Sequence, residues 1–398
     1  DDSLNTGLSE ESPFKTIEYA LWRIASDTLN INTIYLMEGI YSPSTNGENF
    51  PVIMKSNVNI AGSGKEVTIL DANQTGGVIT MEYCINNTIT DLTITGGLEE
   101  LGGGMYLEYS NPTLTHVTIA NNTAEYYGGG MNLENSNPTV THVTITNNIA
   151  NNGGGMYVYS CNPTLTHVTI ANNIAGGMRL YYSNPTLTNS ILWNNLPESI
   201  YLHSEEEPVI TFSDIYGGWE GQGNINANPL FTDPENGDYT VQEGSPCIDS
   251  GHPNLWYQDL DGTPSDMGST GGLFALPNFI SYDFGEVGDI GSNKQFNIYN
   301  YRETSITISS VSFGTSSFTT STFFPITIEP LQTGIINIET NNTQSGYIED
   351  EMELISQDLP EGLSVSLTLE GVAGNVLNGN LSEFERNLTK FCENSVKI

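Results

Sequence analysis

The chain is 398 residues long, with 10 Lys+Arg against 47 Asp+Glu and a formal net charge of −37. That length leaves room for two domains. So acidic a surface excludes binding to DNA, RNA or an anionic membrane, and it repels polyanionic sugars unless cations bridge them.

The cysteines, Cys84, Cys161, Cys247 and Cys392, lie far apart without a Cys-x-x-Cys pair, so neither a zinc knuckle nor a disulfide framework is signalled. No stretch approaches 18 apolar residues, which excludes membrane insertion through a helix. No signal peptide is visible, and the chain opens on Asp1-Asp2 as a processed or trimmed protein would.

Ser12-Pro13, followed by Phe14, Ile17, Ala20, Leu21 and Ile24, predicts an N-cap, a proline at the first helical position and an amphipathic helix. Irregular strands follow at Thr33–Met37, with Gly39–Tyr41 after it, then at Val58–Gly62, Val67–Leu70, Val78–Met81 and Ile85–Ile94. From Gly102 the chain repeats one sentence, beginning again at Gly128, Gly153 and Gly176. Its Asn-Pro pair recurs at Pro112, Pro138, Pro163 and Pro185, in steps of 26, 25 and 22 residues. A period of this size means stacked supersecondary units.

Each copy holds three short apolar pieces. Met105 and Leu107 share one parity and Tyr106 and Glu108 the other, as a half-buried strand requires. Three strands per copy cannot close a sheet by themselves, but each can pair with its equivalent one copy on, about 4.8 Å away. The result is a single-stranded parallel β-helix, right-handed as parallel crossovers are. Leu114 and Val117 must both point inward although an odd step separates them, so the chain bends between them. The bend residue is His116, His142, His167 and then Asn189, with Asp91 one coil earlier. These are residue types that tolerate left-handed geometry. The column is read as bend chemistry in preference to a transition-metal site.

The Asn/His bend column, the Gly-rich strand entry and the Asn-Asn turn resemble the pectate-lyase-like superfamily of right-handed parallel β-helices, over residues 12–275. The resemblance implies a helix plugging one end of the stack, secretion or surface display, and a substrate lying along the strand before each Asn-Pro turn. The outward residues there are Tyr106, Glu108, Asn132, Glu134, Tyr157, Tyr159, Arg179 and Tyr181. Tyrosine faces suit the C–H patches of sugar rings and carboxylates accept hydroxyl hydrogen bonds, so these eight are candidate glycan-binding residues. Catalytic residues are not assigned. A polyuronate lyase needs a base and a cation, and Arg179 is the one basic residue of the regular copies. A glycosidase needs two carboxyls with separated pKa values, whereas Glu108 and Glu134 are equivalent rungs of one ladder.

After Ile200–Leu202 and Val209–Phe212 the chain turns irregular, through Cys247 to Gly268, resembling the closing segment of bacterial secreted β-helix proteins. Within it, Asp259, Asp261 and Asp266 surround a Gly turn and are candidate calcium ligands, calcium being the one cofactor hinted at.

From Asn278 strict alternation replaces the glycine repeats, at Phe279–Gly285, Phe296–Asn300, Ile306–Val311, Ile326–Ile328, Ile335–Ile338 and Leu363–Leu369. This predicts an antiparallel β-sandwich, and the order of the strands resembles the Hydin-like, ASH-type immunoglobulin-like module. Ser382-Glu383-Phe384-Glu385 is a capping box for a short terminal helix. The fold class expected is all-β, with a β-helix over 1–273, a sandwich over 274–374 and a tail over 375–398. The expected function is non-catalytic display or glycan binding by a monomer. A polysaccharide lyase or glycoside hydrolase and a purely structural stalk are the alternatives.

Overall fold

A computed structural model describes residues 5–371 except 10, 26–29, 204, 273–274, 288–290, 303, 331 and 342–345. The chain divides into two compact units, residues 1–273 and 274–398.

The repeats fold as coils of a parallel β-helix. One coil runs through a short strand, Met105–Glu108, and a long one, Thr113–Ala120, with a third, Thr123–Tyr127, completing the circuit. Each pairs in parallel with its equivalent: Met105 with Met131 and then Met156, and Thr113 with Thr139, Thr164 and Thr186. Four left-handed residues turn the corners of this coil, Gly102, Tyr109, His116 and Asn121. The bend column behaves as the odd step requires, with φ of 56° at Asp91, 50° at His116, 54° at His142, 52° at His167 and 52° at Asn189.

Inside, side chains stack in files. Met105, Leu107, Leu114, Val117 and Ile119 have no exposed surface, nor do their counterparts in the next two coils. Each such residue contributes about 1.5–3 kcal/mol by leaving water. Polar files close the corners. The amide of Asn122 donates to Asn148 Oδ1 (3.1 Å), Asn148 to Asn173 (3.1 Å) and Asn173 to Asn195 (2.9 Å), all buried.

The N-terminal helix differs from expectation in where it starts. It spans Ile17–Arg23, with Thr16 as N-cap, not Ser12. The buried carboxylate of Glu48 accepts hydrogen bonds from the Ile17 and Glu18 amides, at 2.7 and 3.0 Å. A cap 30 residues away in sequence thus fixes a start that Ser12-Pro13 does not. The predicted apolar face holds: Ile17, Ala20 and Leu21 pack into the core with Val52 and Met54.

Residues 227–272 run along the side of the long strands. The Tyr239 hydroxyl meets Asn147 and Asn172, Ser269 meets Thr144 and Thr169, and Ser265 meets His167 and Asn189. We call this stretch the strap. It has a small apolar centre, Cys247 and Met267 against Ile191.

The second unit has two sheets. One holds Ala275–Pro277, Asn293–Asn300, Thr333–Thr340 and Phe318–Thr320. The other holds Ser281–Val287, Ser364–Gly371, Gly346–Ser356, Ile306–Phe313 and Ile326–Ile328. All ladders are antiparallel but one: Ser281–Val287 runs parallel to Ser364–Gly371, which corrects the wholly antiparallel expectation. The strand Gly346–Ser356 was not among those predicted; Glu349, Glu351 and Glu353 give it an acidic outer face that hides its alternation. The capping box at Ser382 lies outside the described residues.

Candidate functional site

Alternation along each short strand sends every second side chain outward, and parallel register stacks them into two columns. One runs Thr80, Tyr106, Asn132, Tyr157, Arg179, Tyr201; the other runs Glu82, Glu108, Glu134, Tyr159, Tyr181. All eight sequence-predicted residues therefore lie on one sheet face, in two adjacent files.

They are not equally available. Tyr159 is 37% exposed, but Tyr157 only 9% and Asn132 not at all. The Tyr127 ring lies 4.4 Å from that of Tyr157, and the Asn132 amide donates to Glu134 Oε1 at 3.1 Å. Asn132 and Tyr157 support the face; they do not present it. Burial pushes the Tyr157 phenol up to about 12, with Tyr127 adding to the effect. Tyr106 is also pushed up to about 12, first by burial and then by the carboxylates of Glu134, Glu108 and Glu82. Both remain neutral hydrogen-bonding groups at any ordinary pH.

Further residues belong to this face. The corner residues Tyr109 and Tyr182 have left-handed backbones, and Tyr109 stacks on Tyr83 at 5.1 Å and 12°. Tyr181 packs edge-on against Tyr182 at 4.8 Å and stacks on His203 at 3.7 Å; Tyr159 lies 5.6 Å from Tyr181. The guanidinium carbon of Arg179 sits 4.1 Å over the Tyr201 ring, where its charge meets the π face. The signal for Tyr109 and Tyr182 was present in sequence: each immediately follows the outward pair, in the column shared with Asn135 and Ser160. The face is acidic at its first coils and aromatic, with one guanidinium, at its last. The connection from Glu134 to Thr139 holds only residues 135–138, as that from Tyr159 to Thr164 holds 160–163. No wall rises from them.

The imidazole column is a different place. His142 and His167 are buried, stacked at 5.1 Å and 7° from parallel, with His116 5.4 Å beyond and bonded to Asp91 at 3.3 Å. Stacked rings meet face to face, so their nitrogen lone pairs do not converge on a shared ion.

Among the candidate calcium ligands, Asp259 and Asp266 lie together, and Asp249 completes the group, with one ligand atom of each within 4.8 Å of the others. Asp261 does not join them; its carboxylate accepts from the Thr263 amide and hydroxyl at 3.0 and 2.7 Å. The Asp259 carboxylate accepts from the amides of Gly272 and Asp266, and Asp266 accepts from the Asp249 amide. Burial pushes Asp259 up to about 7, with Asp266 next to it adding to the rise. With one ligand atom each, the three carboxylates supply half or less of the six to eight oxygens that calcium takes, and the backbone amides already engage two of the three.

Residues 54–215 match the family described as right handed beta helix region, so the parallel coils form a right-handed β-helix. No curated protein matches the chain in sequence. Among solved structures, a protein of unknown function from Porphyromonas gingivalis is 15% identical over 24% of this chain and 46% of its own, with a TM-score of 0.22. The present chain thus spans under half of that protein. A pectin methylesterase from Yersinia enterocolitica is 14% identical over 52% of this chain and 81% of its own, with a TM-score of 0.37. The ASH / PapD-like domain of human CEP192 is 12% identical over 26% of this chain and 88% of its own, with a TM-score of 0.22.

Proposed function

We propose that the chain is a secreted or surface-displayed β-helix protein whose short-strand face binds neutral glycan without transforming it. The observation that carries this reading is the run of rings at the last coils, Tyr159, Tyr181, Tyr182 and His203, in mutual contact on an open strand face. Flat aromatic surface offers sugar C–H groups a partner, and the outward carboxylates of Glu108 and Glu134 accept sugar hydroxyls. An extended chain of sugars would follow the coils, one rung after another.

Against a hydrolase, Glu108 and Glu134 are successive rungs of one ladder, and the connections beside them, such as residues 135–138, are too short to wall a cleft around the pair. Against a lyase, the sole guanidinium of the regular copies is held over an aromatic ring. The test is a neutral-glycan array read for the full chain and for a Tyr159→Ala/Tyr181→Ala variant. Binding that falls at least ten-fold in the variant, at unchanged melting temperature, supports the reading. An unchanged array removes the face from the function, and release of reducing ends or unsaturated uronates from a polysaccharide panel replaces binding with catalysis.

A further inference from the structure

We propose that the first coils of the short-strand face form a subsite for a protonated amino sugar, an inference that rests on the glycan-binding reading of that face. Glu82 pairs in register with Glu108, and Glu108 with Glu134. Three carboxylates thus stand in one file, each about 4.8 Å from the next. Like charges directly opposite one another destabilise a sheet, and among the described residues no ion pair relieves any of the three. Their field reaches the neighbouring phenols. The charge of Glu108 is the first cause raising Tyr83, and all three carboxylates add to the effect of burial at Tyr106. A ligand that brings positive charge at the same repeat balances such a file.

Two features distinguish this file from the general acidity of the chain. The left-handed corner residue after Glu82 is Tyr83, and the one after Glu108 is Tyr109. Their rings stack at 5.1 Å and 12°, yet remain 65% and 49% exposed, so open ring surface lies beside the carboxylates. An ammonium is drawn to an aromatic face as well as to a carboxylate. The second feature is Asn132, wholly buried in the adjacent file. Its amide donates to Glu134 Oε1 at 3.1 Å, but its Oδ1 has no donor among the described residues. An ammonium carries three N–H donors and no acceptor, so one such group seated at Glu134 meets both the carboxylate and the unpaired oxygen. The rings favour a sugar over a lysine-rich peptide, because stacked flat surface suits the C–H patches of a pyranose. Beyond Glu134 the same file continues into Tyr159 and Tyr181. An extended amino-sugar chain therefore crosses the carboxylates first and the ring run next.

Isothermal titration calorimetry of the full chain at about pH 5.5, where an amine is protonated and exposed glutamates are ionised, tests this with three probes. They are an oligomer of β-linked glucosamine, its neutral N-acetylated counterpart and an oligolysine of equal length. The glucosamine oligomer should bind about ten-fold more tightly than the N-acetylated one. Glu82→Gln/Glu108→Gln/Glu134→Gln should bring the two within about two-fold of each other. Glu349→Gln/Glu351→Gln/Glu353→Gln, on the acidic strand of the second unit, removes as much charge and should leave the preference intact. Equal affinity for the two oligomers, a preference that survives the first variant or is lost equally in the second, or oligolysine binding as tightly as glucosamine, overturns the proposal. Should the first variant fail to fold, Glu108→Gln alone should cut the preference about three-fold, and an unchanged preference sinks the subsite. The glycan reading is judged separately. Absence of an amine preference, with N-acetylated binding still sensitive to Tyr159→Ala/Tyr181→Ala, removes the subsite and keeps that reading. Binding of neither oligomer overturns the subsite and leaves the reading to the neutral-glycan array.

Discussion

The backbone amide of Ser136 donates to Cys161 Sγ at 3.0 Å, the same bond that Ser110 makes to the Ser136 hydroxyl one coil earlier at 3.0 Å. The thiol stands in a hydroxyl file that ends on Ser183, and in turn donates to the Tyr159 carbonyl at 2.9 Å. Burial pushes this thiol up to about 11, so it stays protonated and unreactive. Cys161→Ser should change stability by no more than about 0.5 kcal/mol. Cys161→Val, of similar bulk but without an acceptor, orphans the Ser136 amide and should cost about 1–3 kcal/mol in denaturant unfolding.

The asparagine file responds more severely. Asn148 Oδ1 accepts from both the backbone and side-chain nitrogens of Asn122, and its own amide reaches the Ile119 carbonyl and Asn173. Asn148→Leu fills the volume but strands several buried groups at once, each costing about 1–3 kcal/mol. We expect a loss of about 3 kcal/mol or more, read as a melting-temperature drop several-fold larger than for the same change at exposed Asn151.

How these files were legible, and the strap was not, follows from the range of the contacts. A left-handed corner constrains its own residue, so Asp91, His116, His142, His167 and Asn189 carry its mark in sequence. Inward files repeat with the coil and announce themselves by period. Ser269, in contrast, meets Thr169 at a distance of 100 residues and Thr144 at 125, and no local pattern encodes such a pairing. The site was half legible for a related reason. Alternation tells that Tyr157 points outward, but not that Tyr127, from another strand, leans over it. Gly346–Ser356 went unread because glutamates occupy the outward places where uncharged polar residues mark a strand more plainly.

The bend column allows a direct test of corner geometry. His116 is the most accessible histidine of the column, with φ of 50°. His116→Asn should be nearly neutral. His116→Val places a β-branched side chain in the left-handed region, and should cost about 1–3 kcal/mol. Chemical denaturation of the two variants separates backbone strain from loss of the Asp91 contact, since both remove the imidazole.

Gly130 sits where adjacent coils approach closely. A Cβ there would lie 2.6 Å from the Gly155 carbonyl oxygen and 2.9 Å from Ile145 Cγ2. Backbone cannot retreat from such a contact without breaking the ladder on either side. Gly130→Ala should therefore destabilise the β-helix, whereas Gly217→Ala, with open space around the added carbon but a left-handed φ of 93°, should cost only about 1–2 kcal/mol. Thermal melts of the pair distinguish crowding from conformational strain.

Asp214 provides a prediction whose sign depends on pH. It is buried beside Cys247, whose thiol donates to its carboxylate at 3.4 Å, and it accepts from the Ala227 amide at 3.1 Å. Burial raises its pKa from 3.8 to about 6. The folded state thus holds the proton more tightly than the unfolded chain does. Its protonated form fits the fold without penalty below about 3.8, and the favourable linkage is lost as pH rises through about 6. Above that the buried carboxylate costs about 3 kcal/mol relative to a neutral group. Asp214→Asn keeps an oxygen for the Ala227 amide and removes the charge, so it should raise the melting temperature at pH above about 7 and lose that advantage progressively toward about pH 4. An equal shift at both ends of the range would locate the effect in packing against Cys247, not in ionisation.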